Sequence, residues 1–315
     1  MDKIKDYTFG QEVIGLVVRL SDVHIRKTTS GADYASMLAY DGEEVIEAKI
    51  WSFTDSIKSK LINGEVYKVN GRFKDYQGKM QLNITDIELA DDGVDKSKFY
   101  ESAKVSKGDL KAIIYEYVSH IDNTILREIV DGLLCDASNA FFTHPAAVSM
   151  HHNYISGLAY HTYSMLNLSN VYLDQYRYLN KDLVYAGIIL HDIGKTVELS
   201  GAKGTEYTFD GQLLGHISIG SNLVYAKAKE LGYENSEEAK LLNHIILSHH
   251  GELEFGSPKE PATPEALLIH LLDLADSKLA ALEKEIEKVN GYGFTQPINS
   301  FGKRGFYIPK IESNK

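Results

Sequence analysis

The period of the hydrophobic pattern changes between residues 90 and 106, and that change constrains the fold more than any other feature. Before it, apolar residues alternate in direction: within Glu12–Arg19, Val13, Gly15 and Val17 oppose Ile14, Leu16 and Val18. After it, Leu110, Ile113, Ile114, Tyr117, Val118 and Ile121 recur at helical spacing, with Ser106 placed as a cap. Strands first and helices after read as an α+β chain of two domains. The acidic stretch Ala90–Ser97, with Asp91, Asp92, Gly93 and Asp95, is the expected junction.

Within residues 1–90 the expected strands are Glu12–Arg19, Tyr34–Ala39, Val45–Trp51, Val66–Phe73 and Met80–Leu89. Ser30-Gly31, Asp41-Gly42, Asn63-Gly64 and Gln77-Gly78 supply turns, and Asp55–Leu61 reads as a short helix. Five strands with one helical insertion suit a small Greek-key β-barrel of the OB type. An ordinary sandwich or barrel without a ligand fits the same pattern.

Residues 91–150 read as a linker with connecting helices, the second bearing Ile125, Leu126, Ile129, Val130, Leu133 and Leu134. Residues 151–290 continue as helices. The last long one starts at Thr263-Pro264-Glu265, a cap followed by proline at the first helical position. Residues 291–315 form a tail with Tyr292, Phe294, Phe301, Lys303, Arg304, Phe306, Tyr307 and Lys310. It reads as a docked arm; packing on the barrel or touching a nucleic acid are the other uses.

Ten of the twelve histidines lie between His144 and His270, far more than even spacing would give. The apolar run VYAGIIL ends in His191 and Asp192, followed by Ile193, Gly194 and Lys195. An imidazole and a carboxylate in an apolar setting need a partner, and a divalent metal is one. Further ligands stand ready in His161, His216, the pair His249-His250, and Asp273 or Asp276. Mixed imidazole and carboxylate donors suit Mn²⁺ first, and also Fe²⁺, Mg²⁺ or Zn²⁺. So many ligands exceed what one ion needs, so two ions bridged by Asp192 are expected, an arrangement suited to phosphoester hydrolysis. Lys195, three residues after Asp192, shares its face if the helix continues and would meet a phosphate oxygen. His144, His244 and His270 read as core or supporting residues; His151 and His152 stand close enough before His161 for a substrate site.

The ordered set H…HD…H…HH…D resembles the HD-domain metal-dependent phosphohydrolases. On that resemblance His161 is the first motif histidine, His191-Asp192 the name-giving pair, His216 the third position and His249-His250 the double histidine. Asp273 is the final aspartate, with Asp276 as the fallback. The string Arg26, Lys27, Thr28, Gly31, Tyr34 and Trp51, and later Phe73, Lys74, Tyr76, Gly78, Lys79 and Gln81, resembles nucleic-acid-binding OB domains. There Arg26, Lys27, Tyr34, Trp51, Phe73, Lys74 and Lys79 would supply stacking faces and phosphate contacts. The whole order, barrel, helical linker, HHNYISGL…H, HDIGK, HHG and D-x-x-D-S-K, is similar to the YhaM-type 3′–5′ exoribonucleases over nearly the full chain.

The resemblance implies a metal-dependent 3′–5′ exonuclease that cuts single-stranded RNA to 5′-nucleotides by attack of metal-bound hydroxide, with DNA as a second candidate substrate. One alternative is an HD phosphodiesterase for a small cyclic nucleotide, with a regulatory barrel. Another is a non-enzymatic RNA-binding protein with a metal-stabilised helical domain. Residues 1–90 hold 12 Lys and Arg against 14 Asp and Glu, so most of the net charge of −11 lies beyond the barrel. Coating nucleic acid by charge alone is disfavoured; several barrels in a homo-oligomer would raise the affinity. The single Cys135 excludes an internal disulfide. Met1–Gly10 is too polar for a signal peptide, and no apolar run approaches the roughly 20 residues of a membrane helix. A soluble cytoplasmic protein is expected.

Overall fold

The computed structural model describes residues 2–311 except 101, 138, 148–153 and 290. The chain divides into two units, Met1–Glu101 with Ala202–Thr205, and Ser102–Gly201 with Glu206–Lys315.

In the first unit β1 (Glu12–Lys27), β2 (Asp33–Tyr40), β3 (Val45–Ile50), β4 (Val66–Tyr76) and β5 (Lys79–Leu89) form a closed barrel. Its order is β1-β2-β3-β5-β4, with α1 (Asp55–Lys60) between β3 and β4. This is the expected five-stranded barrel. Alternation fills it: Ala35, Met37 and Ala39 of β2 point inward, as do Leu16, Val18 and Leu20 of β1. β1 runs on past Arg19 because register shifts at Val13/Leu16 and Ser21/His24 bend it. It thereby pairs with β4 first and with β2 later. The acidic turn Asp41-Gly42-Glu43-Glu44 serves the barrel itself. Asp41 is buried; its Oδ1 accepts from the amides of Glu43 and Glu44 at 2.8 Å each, and its Oδ2 from Ile4 at 2.6 Å. Burial opposes the charge, yet those backbone donors hold the carboxyl below its usual pKa.

The second unit is helical: α2 (Lys107–Ser119), α3 (Thr124–Ala137), α4 (Gly157–Gln175), α5 (Lys181–Leu190), α6 (Lys195–Glu198), α7 (Phe209–Glu230), α8 (Glu237–Ser248) and α9 (Pro264–Ile286). The side chains of Ser106, Asn180, Thr208, Ser236 and Thr263 each accept an amide N–H at a helix start. α5 is the pivot. Every residue from Leu183 to Leu190 is buried, and α2, α3, α4, α8 and α9 pack around it. A helix apolar on all sides belongs in the centre of its domain, so its C-terminal end carries His191 and Asp192 into the interior.

Two glycines let neighbours approach that end. A Cβ on Gly187 would lie 2.5 Å from Ile269 Cδ1, and one on Gly194 only 2.0 Å from the His216 carbonyl oxygen. α7 is itself broken at Gly215 (φ 71°, ψ 155°), immediately before His216. The tail docks on its own unit as β6 (Gly293–Phe294) paired with β7 (Tyr307–Ile308). Lys278 Nζ donates to the Ser300 carbonyl at 2.9 Å and lies over the Phe301 ring. Among the described residues no helix is long and apolar enough to cross a membrane.

The contact at Gly194 gives a direct test. Gly194→Ala forces α7 and the His191–Gly194 turn apart, at an overpacking cost of about 1–3 kcal/mol. The melting temperature is expected to fall by roughly 3–10 °C, read by calorimetry; an unchanged melting temperature would refute the close approach.

Candidate metal centre

Four histidines reach one buried region, and each is held the same way. His191 follows α5 and donates from Nδ1 to the Ile188 carbonyl at 2.7 Å. His249 follows α8 and donates to the Ile246 carbonyl, also at 2.7 Å. His216 on α7 faces Glu198 Oε1 at 3.1 Å, and His161 on α4 faces Asp276 Oδ2 at 2.6 Å. Carbonyl and ionised carboxylate oxygens only accept, so the proton sits on Nδ1 and each Nε2 is turned toward the centre.

The ligand atoms form two triads, His161 with His191 and Asp273, and His216 with His249 and His250, each set lying within 4.8 Å of one another. Asp192 stands between them. Its Oδ2 is 3.3 Å from His191 Nε2, and its Oδ1 is 3.6 and 3.7 Å from Nε2 of His216 and His249. Nε2 of His191, His216 and His249 and Oδ1 of Asp192 are all buried without a hydrogen-bond partner. An orphaned buried polar atom costs about 1–3 kcal/mol. Four converging on one point fit a divalent cation, and the donor types fit it too. The sequence-derived ligands therefore come together: His161, His191, Asp192, His216, His249, His250 and Asp273.

Lys195 stands 2.7 Å from Asp192 Oδ2, the pairing expected from their spacing, although α5 has already ended and a turn intervenes. Burial opposes both charges. Lys195, with His191, nevertheless holds the Asp192 carboxyl well below its ordinary range, and Asp192 holds the Lys195 ammonium up. His161 is likewise buried, but its bonds to Asp273 and Asp276 outweigh that and push its pKa up to about 10. Burial drives His249 the other way, well below the usual imidazole value.

Asp276 sits behind His161, accepting from its Nδ1 and from Ser164 Oγ, while Asp273 Oδ1 faces Nε2 at 3.2 Å. Glu198 was not among the sequence candidates. It accepts from both the ring and the amide of His216. The signal was its place in HDIGKTVE, seven residues after His191, about two helical turns. His244 accepts from the Ala262 amide at 2.9 Å and belongs to neither ligand triad. His151 and His152 lie outside the described residues. A cavity of about 350 Å³ opens on the centre; Lys195, Glu198, His216, His250 and Asp273 line it beside Tyr207.

The barrel surface carries a second cluster. Tyr34 and Trp51 stack with centroids 4.9 Å apart, and Lys49 Nζ lies 5.2 Å from the Trp51 ring and 4.9 Å from Tyr76. A groove of about 670 Å³ runs beside them, lined by Trp51, Arg72, Lys74 and Asn83. Arg26, Lys27, Lys74 and Lys79 are exposed. Phe73 is a correction: it is fully buried and packs on Tyr7 in the barrel core. The pleat turns it inward where Arg72 and Lys74 turn out, so it has no face for a base. Gln81 is buried as well, donating to Glu47. Lys49 and Arg72, which the sequence did not mark, stand on the same surface, Arg72 paired with Glu12.

Comparison with known proteins agrees with both halves. The HD domain family model matches residues 158–278, which include every member of the two triads. The 3′–5′ exoribonuclease YhaM of Geobacillus sp. (strain WCH70) is 38% identical over 312 residues, covering 98% of this chain and 96% of that protein. The similarity thus runs through the barrel as well as the helical unit. This chain belongs to the YhaM 3′–5′ exoribonuclease family, with its HD domain in the C-terminal helical unit.

Proposed function

We propose that this chain is a divalent-metal-dependent 3′–5′ exonuclease that hydrolyses single-stranded RNA, and single-stranded DNA by the same chemistry, to 5′-nucleotides. The observation that carries this reading is the convergence of three orphaned imidazole nitrogens and an orphaned Asp192 oxygen on one buried point. The relative's activity supplies substrate and polarity. His161, His191 and Asp273 would hold one ion and His216, His249 and His250 a second, with Asp192 serving both. Manganese heads the order of suitable metals. Such ions supply Lewis acidity toward a phosphate and acidify water near neutral pH.

The chain's own groups do the rest. Asp276 and Glu198 keep His161 and His216 in the tautomer that presents Nε2. Lys195, paired to Asp192 yet lining the cavity, offers a positive charge to a phosphate oxygen. Bases stack on the Tyr34–Trp51 pair, and Lys49, Arg72, Lys74, Lys79, Arg26 and Lys27 follow the phosphates. A net charge of −11 gives little general attraction for a polyanion. Assembly of several chains, each lending a barrel, would offset that through effective concentration. We infer a homo-oligomer working in the cytoplasm.

Three outcomes test the reading. On 5′-labelled single-stranded RNA with Mn²⁺, Asp192→Ala should slow degradation by more than the roughly 10- to 100-fold typical of an outer-shell loss; wild-type speed would sink the metal mechanism. The bonds to Asp273 and Asp276 that push the His161 pKa up to about 10 favour its protonated form, and an ion taking its Nε2 must displace that proton. Metal loading at pH 7–8 should therefore release about one proton at this residue, and affinity should weaken as pH falls. Calorimetry in buffers of different ionisation enthalpy reads the number, and zero release would remove His161 from the ligand set. Finally, Trp51→Ala in an inactive Asp192→Asn background should weaken RNA binding by about 1–3 kcal/mol, measured by fluorescence anisotropy. An unchanged Kd would move the strand off this face.

A further inference from the structure

We propose that His270 reads the free 3′-hydroxyl of the strand's last nucleotide by accepting its hydrogen bond at Nε2. This rests on the exonuclease reading above. His270 lies on the face of α9 that also carries Asp273, Leu274, Ser277 and Lys278, and all five line the cavity beside the metal centre. Its Nδ1 is 2.9 Å from the His249 carbonyl oxygen. That oxygen only accepts, so Nδ1 carries the proton, and in the neutral ring Nε2 is left as an acceptor.

The ring is pinned in place. Gly251 (φ +81°) passes so close that a Cβ there would lie 2.2 Å from His270 Cε1 and 2.3 Å from Nε2. Unlike the Nε2 atoms of His191, His216 and His249, that of His270 is not sealed in the interior, and His270 belongs to neither ligand triad. Among the described residues nothing bonds to it. A pinned residue that lines the cavity thus keeps one unengaged acceptor.

Its chemistry selects the ligand. A phosphate oxygen has no proton to give it. Of the donors on an RNA strand, the ribose 2′-hydroxyl occurs on every nucleotide and cannot mark an end. The 3′-hydroxyl exists only on the last one, since every internal 3′-oxygen is esterified. An end bearing a 3′-phosphate would bring further acceptors and negative charge toward both His270 and Asp273. A fixed acceptor at this place therefore favours a 3′-hydroxyl terminus and disfavours an internal position. His270 is a specificity-determining residue on this account.

The test uses the full chain with Mn²⁺ and the release of the first nucleotide from 5′-labelled RNAs that differ only at the terminal ribose: unmodified, 3′-deoxy, or 2′-deoxy. Wild type should process the 3′-deoxy end about tenfold more slowly, the worth of one well-made hydrogen bond, and the 2′-deoxy end within about twofold. His270→Asn places its amide where Nδ1 stood and keeps a donor for the His249 carbonyl, but leaves nothing at Nε2. Its rates on unmodified and 3′-deoxy ends should become equal. His270→Gln carries an oxygen toward the Nε2 position and should restore part of the preference. Damage to the fold alone would slow all three ends together and leave the ratio intact. A ratio retained in His270→Asn, or a wild-type preference that follows the 2′ position, overturns the inference. Failure of wild type to degrade any of the RNAs overturns the exonuclease reading, and this inference with it.

Discussion

The centre depends on one repeated hydrogen bond, the Nδ1–H of a buried histidine given to a fixed oxygen. For His191 and His249 the oxygen is a backbone carbonyl three residues earlier. Carbonyls in the last turn of a helix lack intrahelical partners in any case, so α5 and α8 each orient a ligand with the end of their own backbone. His161 and His216 lie within α4 and α7, where carbonyls are already engaged. They need carboxylates brought from other elements, Asp276 from α9 and Glu198 from α6. The two solutions differ electrically. A carbonyl leaves the imidazole nearly as basic as before, whereas a carboxylate strengthens it as a ligand and as a base. The high pKa of His161, flanked by two carboxylates, and the low one of His249, which has burial and a carbonyl, follow that division.

Holding these groups together without water works against the fold. Desolvating a carboxylate and an ammonium costs several kcal/mol per ion, which their mutual attraction only partly returns. Asp192 and Lys195 are 2.7 Å apart, near the optimum for such a pair. The compensation lies in the surrounding apolar packing. α5 is buried along nearly its whole length, and Gly187 and Gly194 let α9 and α7 close on its end. The apolar core and the polar centre are thus one construction, and the run VYAGIIL supplies the first in order to carry the second.

The sequence made this legible where the chemistry is local. His191 and Asp192 are adjacent, and the ligands are residue types that stand out when concentrated; the barrel likewise follows from strict alternation and turn residues. What stayed hidden depends on contacts between distant segments. Glu198 was passed over because its use depends on His216 folding against it, and Asp276, marked only as an alternative last ligand, sits behind His161. His270 read as structural because its distinction is a bond to a carbonyl 21 residues away. Phe73 fails for a different reason. Its alternation with Arg72 and Lys74 was visible, but which parity faces the barrel interior depends on the bulges that bend β1 against β4. Trp51 and Tyr34 escape that error because they stack on each other outside the core, Tyr34 on β2 and Trp51 one residue beyond β3.

The string HHG ties these strands of argument together. His249 and His250 belong to one ligand triad, and Gly251 is the backbone that pins His270. The carbonyl of His249 fixes the tautomer of His270, while the side chain of His249 faces Asp192. His249 therefore links the candidate metal triad to the residue proposed to read the strand end. The distance from the 3′-terminus to the reacting phosphate is then a property of the α8–α9 junction. A nuclease can restrict itself to ends by closing the cavity with a wall, which any bulky terminus defeats. On the inference drawn for His270 the restriction is polar: an internal 3′-oxygen is esterified and leaves that acceptor unanswered, and the deficit discriminates even where the strand fits.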